Sequence, residues 1–131
     1  MNLLLDTHIF LWSVLQPDRL AAPVHAALTA RDNTLWLSPI SVWEVLVLAE
    51  KGRIQLDTPP GAWVRTALKQ CPLREAPITH EIALISRTIQ LPHNDPADRF
   101  LVATATVRDL TLVTADQRLI DAPNLTVLAN Q

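Results

Sequence analysis

The chain has 131 residues, 49% of them hydrophobic and 18% charged, which suits one compact domain with a core and excludes two ordinary domains or intrinsic disorder. Two glycines exclude any glycine-rich phosphate loop, and the single Cys71 excludes an internal disulfide or a cysteine-built zinc site. The net charge of −2, from 13 acidic and 11 basic residues, speaks against a strongly basic nucleic-acid-binding surface.

In chain order, Asn2–Leu5 is a short apolar run ending at Asp6 and predicts a buried strand. His8–Leu15 predicts a short helix closed by Gln16-Pro17. A second helix follows over Arg19–Arg31, with Pro23 near its start or marking a break. Thr34–Leu37 is a strand, and Ser38-Pro39 then places a capping serine before a proline at the first helical position. That helix runs to about Lys51, with Gly52 as its terminator. After the turn Thr58–Gly61 come a helix over Ala62–Gln70, a strand over Leu73–Ala76 and a helix over Thr79–Ile89. Asp95-Pro96 opens a helix to Arg108. Thr111–Thr114 is a strand, Asp116–Ile120 a short helix and Leu125–Leu128 a last strand. Short apolar strands alternating with helices predict a single α/β domain over residues 1–131, with a mostly parallel central sheet flanked by helices. Uncharged runs such as Asn33–Trp43 fall short of a membrane span, and no basic stretch precedes Asp6, so a cytoplasmic soluble domain without a membrane role is expected.

The carboxylates fall at telling places. Open parallel sheets bind ligands outside the carboxyl ends of their strands. Asp6 directly follows the first strand, Asp116 follows Thr111–Thr114 after one residue, and Asp98 lies in the first turn of the helix opened by Asp95-Pro96. Glu44 stands in the middle of a helix apolar all round (Ile40, Val42, Trp43, Val45, Leu46, Val47), which predicts a buried helix and a costly glutamate.

Each residue also has a purely structural reading. Asp6 and Asp116 can cap the helices that follow them, Asp95 and Asp98 can form a capping-box-like start, and Glu44 can pair with Arg99. A cluster explains all four carboxylates at once, but needs a counterion. Two carboxylates about 4–5 Å apart repel by roughly 3–4 kcal/mol at an effective dielectric near 20, against a total stability of about 5–15 kcal/mol. An all-oxygen set suits a hard divalent cation, Mg²⁺ or Mn²⁺, and such a site serves phosphotransfer or hydrolysis. With four carboxylates so committed, 9 acidic residues face 11 basic ones, and the net charge no longer argues against a nucleic-acid partner.

The ordered set Leu3-Leu-Leu-Asp6-Thr7, Ser38-Pro-Ile-Ser-Val-Trp-Glu44, His93-Asn-Asp-Pro-Ala-Asp98-Arg-Phe-Leu-Val-Ala-Thr-Ala105 and Leu112-Val-Thr-Ala-Asp116 resembles the PIN-domain ribonucleases, specifically VapC-type toxins of bacterial toxin–antitoxin pairs. The resemblance spans nearly the whole chain. It implies that Asp6, Glu44, Asp98 and Asp116 form the catalytic acidic Mg²⁺ site, with Mn²⁺ a possible substitute. It implies an endoribonuclease that cleaves RNA with a metal-activated water, leaving 5′-phosphate and 3′-hydroxyl ends. It further implies a small VapB-type antitoxin blocking the site, a homodimer, and DNA contact only through the antitoxin. Two other readings are kept: a PIN-type nuclease of RNA processing without an antitoxin, and a non-cleaving regulatory module whose acidic cleft receives a basic peptide.

Auxiliary candidates surround these four. Asp95 is a helix cap or shares in metal or water binding, Thr114 adds a hydroxyl or is an ordinary strand residue, and Thr7 shapes the turn beside Asp6. Arg99 reaches a phosphate or holds a site carboxylate. His8 and His93 stand near the site and are candidate general bases. Trp12, Trp36, Trp43 and Trp63 are expected in core or interface packing, with base stacking as the other use, and Cys71 is expected to be packed.

Overall fold

The computed structural model describes residues 1–131. Its centre is a five-stranded sheet, every neighbouring pair parallel, in the order β3-β2-β1-β4-β5. The strands are β1 (Asn2–Leu5), β2 (Thr34–Leu37), β3 (Leu73–Glu75), β4 (Thr111–Thr114) and β5 (Val127–Ala129). The helices are α1 (Thr7–Leu15), α2 (Ala22–Thr29), α3 (Pro39–Glu50), α4 (Pro60–Gln70), α5 (His80–Ser86), α6 (Pro96–Arg108) and α7 (Gln117–Ile120). The single α/β domain read from the sequence is therefore the observed fold.

The pleat of β1 divides the core. Leu3 and Leu5 face one layer with Ile9, Phe10, Val45 and Trp63 from α1, α3 and α4. Leu4 faces the other, with Leu101, Val102 and Leu112. Alternate side chains of a strand point to opposite faces, and both faces here are covered, so the run Leu3-Leu4-Leu5 is wholly apolar. After β1 the chain winds outward through β2 and β3, then returns to lay β4 on the other side of β1. The switch in winding opens a crevice at the carboxyl ends of β1 and β4.

Local chemistry explains the element ends. The Ser38 hydroxyl accepts from the Ile40 amide at 3.1 Å, and the Thr79 hydroxyl caps α5 by accepting from the Ile82 amide. Past the end of α3 the Gly52 amide donates to the Ala49 carbonyl at 3.1 Å and the Arg53 amide to the Leu48 carbonyl at 2.9 Å. Gly52 sits at φ 69°, so the paired bonds of this helix ending rest on a left-handed residue.

Two expectations are corrected. Arg19–Arg31 is not one helix: Pro17–Arg19 forms a 3₁₀ turn, and α2 starts only at Ala22, with Pro23 in its first turn. Proline tolerates the first turn of a helix and breaks its interior. Nor is α3 buried all round; only Ser41 and Val45 are fully buried, and Trp43 is 54% exposed. α1, α4 and α6 pack against α3 and leave Trp43 on its open side.

Replacing Gly52 by alanine is expected to cost about 1 kcal/mol, because no atom crowds the new Cβ but the left-handed backbone strains it. The urea midpoint should fall with an unchanged slope.

Candidate active site

Four sequence-distant elements deliver the predicted carboxylates to one place. Asp6 ends β1, Glu44 stands in α3, Asp98 in the first turn of α6, and Asp116 between β4 and α7. All four line a single cavity of about 430 Å³, together with Asp95, His8, Trp12, Arg19 and Arg118.

Asp6 is where the capping and cluster readings part. It occupies the cap position of α1, yet its side chain makes no capping bond. Instead its Oδ2 accepts from the Thr114 hydroxyl at 2.6 Å, and that hydroxyl oxygen accepts in turn from the Asp116 amide at 3.0 Å. Thr114 thus joins the ends of β1 and β4 beneath the cavity. On the α1 side the Thr7 hydroxyl donates to Ser41 at 3.0 Å, fixing α1 against the helix that carries Glu44.

Asp95 does cap α6. Its Oδ1 accepts from the amides of Ala97 at 3.0 Å and Asp98 at 3.3 Å, while the residue still lines the cavity. The expected reciprocal bond from Asp98 does not form. Asp98 Oδ2 instead accepts from His93 Nε2 at 2.8 Å and lies 3.5 Å from Arg118 Nη2. Asp116 caps α7 by accepting from the Arg118 amide at 2.9 Å, and the Arg118 guanidinium closes on its Oδ2 at 2.8 Å.

Arg99 is a correction. Its guanidinium reaches neither a site carboxylate nor the cavity. It donates to the carbonyls of Ser86 at 2.8 Å, Ile89 at 2.9 Å and His93 at 3.3 Å. A buried cation is satisfied here by the carbonyls at the end of α5 and in the loop that follows, where its charge also meets the negative helix terminus. Arg99 therefore pins the segment that holds His93. The cation that does meet site carboxylates is Arg118, which sequence reasoning passed over. Its position two residues after a capping aspartate, on the same helical turn, was the available signal.

The electrostatics follow from this arrangement. Burial raises the Asp6 carboxyl above its ordinary value; the Thr114 bond opposes the shift, and the charge of Asp98 adds to it. Asp98 is raised by burial, against the His93 bond and with the charges of Asp95 and Asp116. Glu44 is raised by burial, with further contributions from Asp6 and Asp95. Asp116 alone is lowered, chiefly by its Arg118 bonds. These carboxylates share one space and resist ionising together.

An all-oxygen set of this kind chemically fits a hard divalent cation, which would replace mutual repulsion by attraction. No three metal-capable side chains close around one point, and Arg118 pairs with Asp98 and Asp116 on one side of the cavity. The donor set fits the ion.

Comparison with known proteins agrees with the fold. The PIN domain family model matches residues 3–125. The chain is 36% identical over 121 residues to Ribonuclease VapC22 of Mycobacterium tuberculosis, covering 90% of this chain and 89% of that protein. Among solved structures it resembles VapBC2 from Rickettsia felis, bound to a DNA fragment from its promoter (TM-score 0.73, 18% identity, 100% of both chains). It also resembles a toxin–antitoxin complex from Klebsiella pneumoniae (TM-score 0.67, 23% identity, 98% and 97%). At these identities the structural likeness is one of fold.

The sign of the pH dependence is set by the raised groups. Between the unfolded values of 3.8 for aspartate and 4.5 for glutamate and the higher folded ones, the folded state binds more protons. Their stabilising share is complete below that window and lost as pH rises through it. Asp116, lowered by Arg118, works in the opposite sense but is a single group. In chelator, the melting temperature should rise as the pH is lowered from neutrality toward the ordinary carboxylate values, and Asp6→Asn should shrink the rise. A melting temperature that falls on acidification in this range would contradict the assignment.

Proposed function

Because the chain belongs to the PIN-domain family, as a VapC-type member of it, we propose that it is a Mg²⁺-dependent endoribonuclease, the toxin of a toxin–antitoxin pair, with Mn²⁺ as a substitute ion. One observation carries the reading: Asp6, Glu44, Asp98 and Asp116, from four separated elements, line one cavity at the switch point of a parallel sheet. When bound, the divalent ion lowers the pKa of a water and offsets the charge that builds on the scissile phosphate.

The protein's own groups prepare that chemistry. Thr114 and His93 each hold one oxygen of Asp6 and Asp98, so two buried carboxylates keep fixed directions toward the cavity. Glu44 closes the wall formed by α3. Arg118 is 53% exposed and free to leave Asp98 and Asp116, and a guanidinium there can then meet a phosphate oxygen. Attack by water, rather than by the ribose 2′-hydroxyl, with the bond from phosphorus to the ribose 3′-oxygen breaking and that oxygen taking up a proton, would leave 5′-phosphate and 3′-hydroxyl ends.

The antitoxin reading is supported by the neighbouring VapBC complexes and by the cavity itself. An arginine or lysine of a VapB-type partner would find there the carboxylates that Arg118 already engages. DNA would be met through that partner. A homodimer would cover apolar surface left open at Trp43 and Leu84.

Cleavage of RNA should require Mg²⁺ or Mn²⁺, stop in chelator and leave 5′-phosphates; persistence in excess chelator with 2′,3′-cyclic ends would overturn the mechanism. Asp6→Asn should abolish cleavage, yet its metal-free form should melt no lower than the parent, because a buried charge is removed and no cap bond is lost. Mg²⁺ should raise its melting temperature less than the parent's. A variant that still cleaves and responds normally to Mg²⁺ would remove Asp6 from the site.

Replacing the antitoxin's cleft-facing basic residue should relieve inhibition more than it weakens the complex. Inhibition that survives loss of every basic residue near the cleft would exclude the blocking model.

A further inference from the structure

Beside the acidic cavity lies a second, larger trough of about 550 Å³, and the two share His8, Trp12 and Arg19. Their linings are opposite in charge. Five carboxylates and two arginines line the first; Arg19 and Arg53 line the second, which has no carboxylate at all. Neither Arg19 nor Arg53 is in an ion pair, since the salt bridges of the protein involve only His93 and Arg118 as cations.

The trough is built rather than incidental. The Arg19 guanidinium lies 4.1 Å from the centroid of the Trp12 ring, stacked on the indole with its own residue exposed. Its backbone is clamped from the far end of the chain: Asn130 donates from Nδ2 to the Arg19 carbonyl at 3.0 Å and accepts at Oδ1 from the Ala21 amide at 2.6 Å. The opposite wall is set by the turn at Gly52. The Arg53 amide is tied to Leu48, and Ile54 packs on the core beside Trp12, which leaves Arg53 and Gln55 exposed along the rim.

We propose that this trough holds the nucleotide adjoining the scissile phosphate of a single-stranded RNA, with an unpaired base stacked on the Arg19 plane and a flanking phosphate on Arg53. The inference rests on the ribonuclease reading above and adds where, and by which residues, the strand flanking the scissile phosphate is held. An RNA strand entering a cavity rich in carboxylates needs compensating cations next to it, and two arginines in no ion pair, Arg19 and Arg53, stand along a trough that continues the cavity. A base inside a duplex has both faces occupied, whereas an unpaired base can stack on an aromatic or guanidinium plane. Indole, guanidinium and base then form one stack, and Gln16 and Gln55 offer amides to base edges.

The test uses the Asp6→Asn protein and a fluorescent single-stranded RNA of about twelve nucleotides and mixed sequence, read by anisotropy over a salt series, with a blunt duplex of the same sequence alongside. Arg53→Gln should weaken single-strand binding about 3–10-fold and reduce the salt slope by about 0.7, the share of one phosphate. Arg19→Lys keeps the charge but not the plane, so it should weaken the single strand several-fold at unchanged slope and leave the duplex indifferent. Both residues are exposed, so folding should survive, and a thermal melt checks it. Unchanged single-strand binding in both variants overturns the assignment, as does equal loss for single strand and duplex. RNA binding that stays intact while the antitoxin complex weakens overturns it too, since the trough then belongs to a protein partner. Cleavage by the unsubstituted protein in Mg²⁺ is measured in parallel. If no RNA is cut, the ribonuclease reading fails; if RNA is cut and both variants bind normally, only the trough assignment fails.

Discussion

The hydrogen bond from the Thr114 hydroxyl to Asp6 is the contact on which the site depends. It spans 108 positions of sequence and joins the ends of the two strands between which the sheet changes its direction of winding. Without it a buried carboxylate at the end of β1 would lack a fixed partner, and burying such a group unpaired is costly. Because the same hydroxyl accepts from the Asp116 amide, one threonine sets the positions of two acidic residues. The apolar layers on either side of β1 supply the rigidity that makes this registration possible.

Around that bond the protein holds an electrostatic tension. Three carboxylates are raised by burial, while Asp116 is calmed by Arg118. A core designed for stability alone would put apolar groups at Asp6 and Asp98. Here the pairings with Thr114 and His93 offset only part of the cost, and on the proposed function a metal ion or a partner's basic side chain would release the remainder. On the proposed function either would compete with Arg118 for the oxygens of Asp98 and Asp116, a means of holding a small domain inactive without any change of fold.

The surroundings of the cavity divide the labour by charge. Acidic residues gather at the carboxyl ends of β1 and β4, and unpaired arginines stand on the turns beside them. Arg99, in contrast, is spent inside the protein on three carbonyls. It keeps the loop between α5 and α6 in place, and with it the His93 ring that orients Asp98. Two arginines of one short chain thus serve opposite ends, Arg99 as an internal staple and Arg118 as an exposed counter-charge.

Much of the fold was legible in the chain because its signals are local. The run Leu3-Leu4-Leu5 ending at Asp6, the Ser38-Pro39 start, the Gly52 stop and the Asp95-Pro96 cap each report the conformation of a few adjacent residues, and each stands in the structure as read. The site carboxylates were legible for a related reason: a charge at a strand end, or within an apolar helix, departs from what packing alone would choose. Tertiary structure decided the rest. Which side of α3 is covered depends on the placement of α1, α4 and α6, so an apolar helix with Trp43 exposed could not be foreseen from its composition. Whether Asp6 caps a helix or faces a cavity depends on Thr114 arriving from β4. Periodicity and capping are properties of neighbouring residues. The partner of a buried charge is chosen by whichever distant donor the topology brings within about 3 Å.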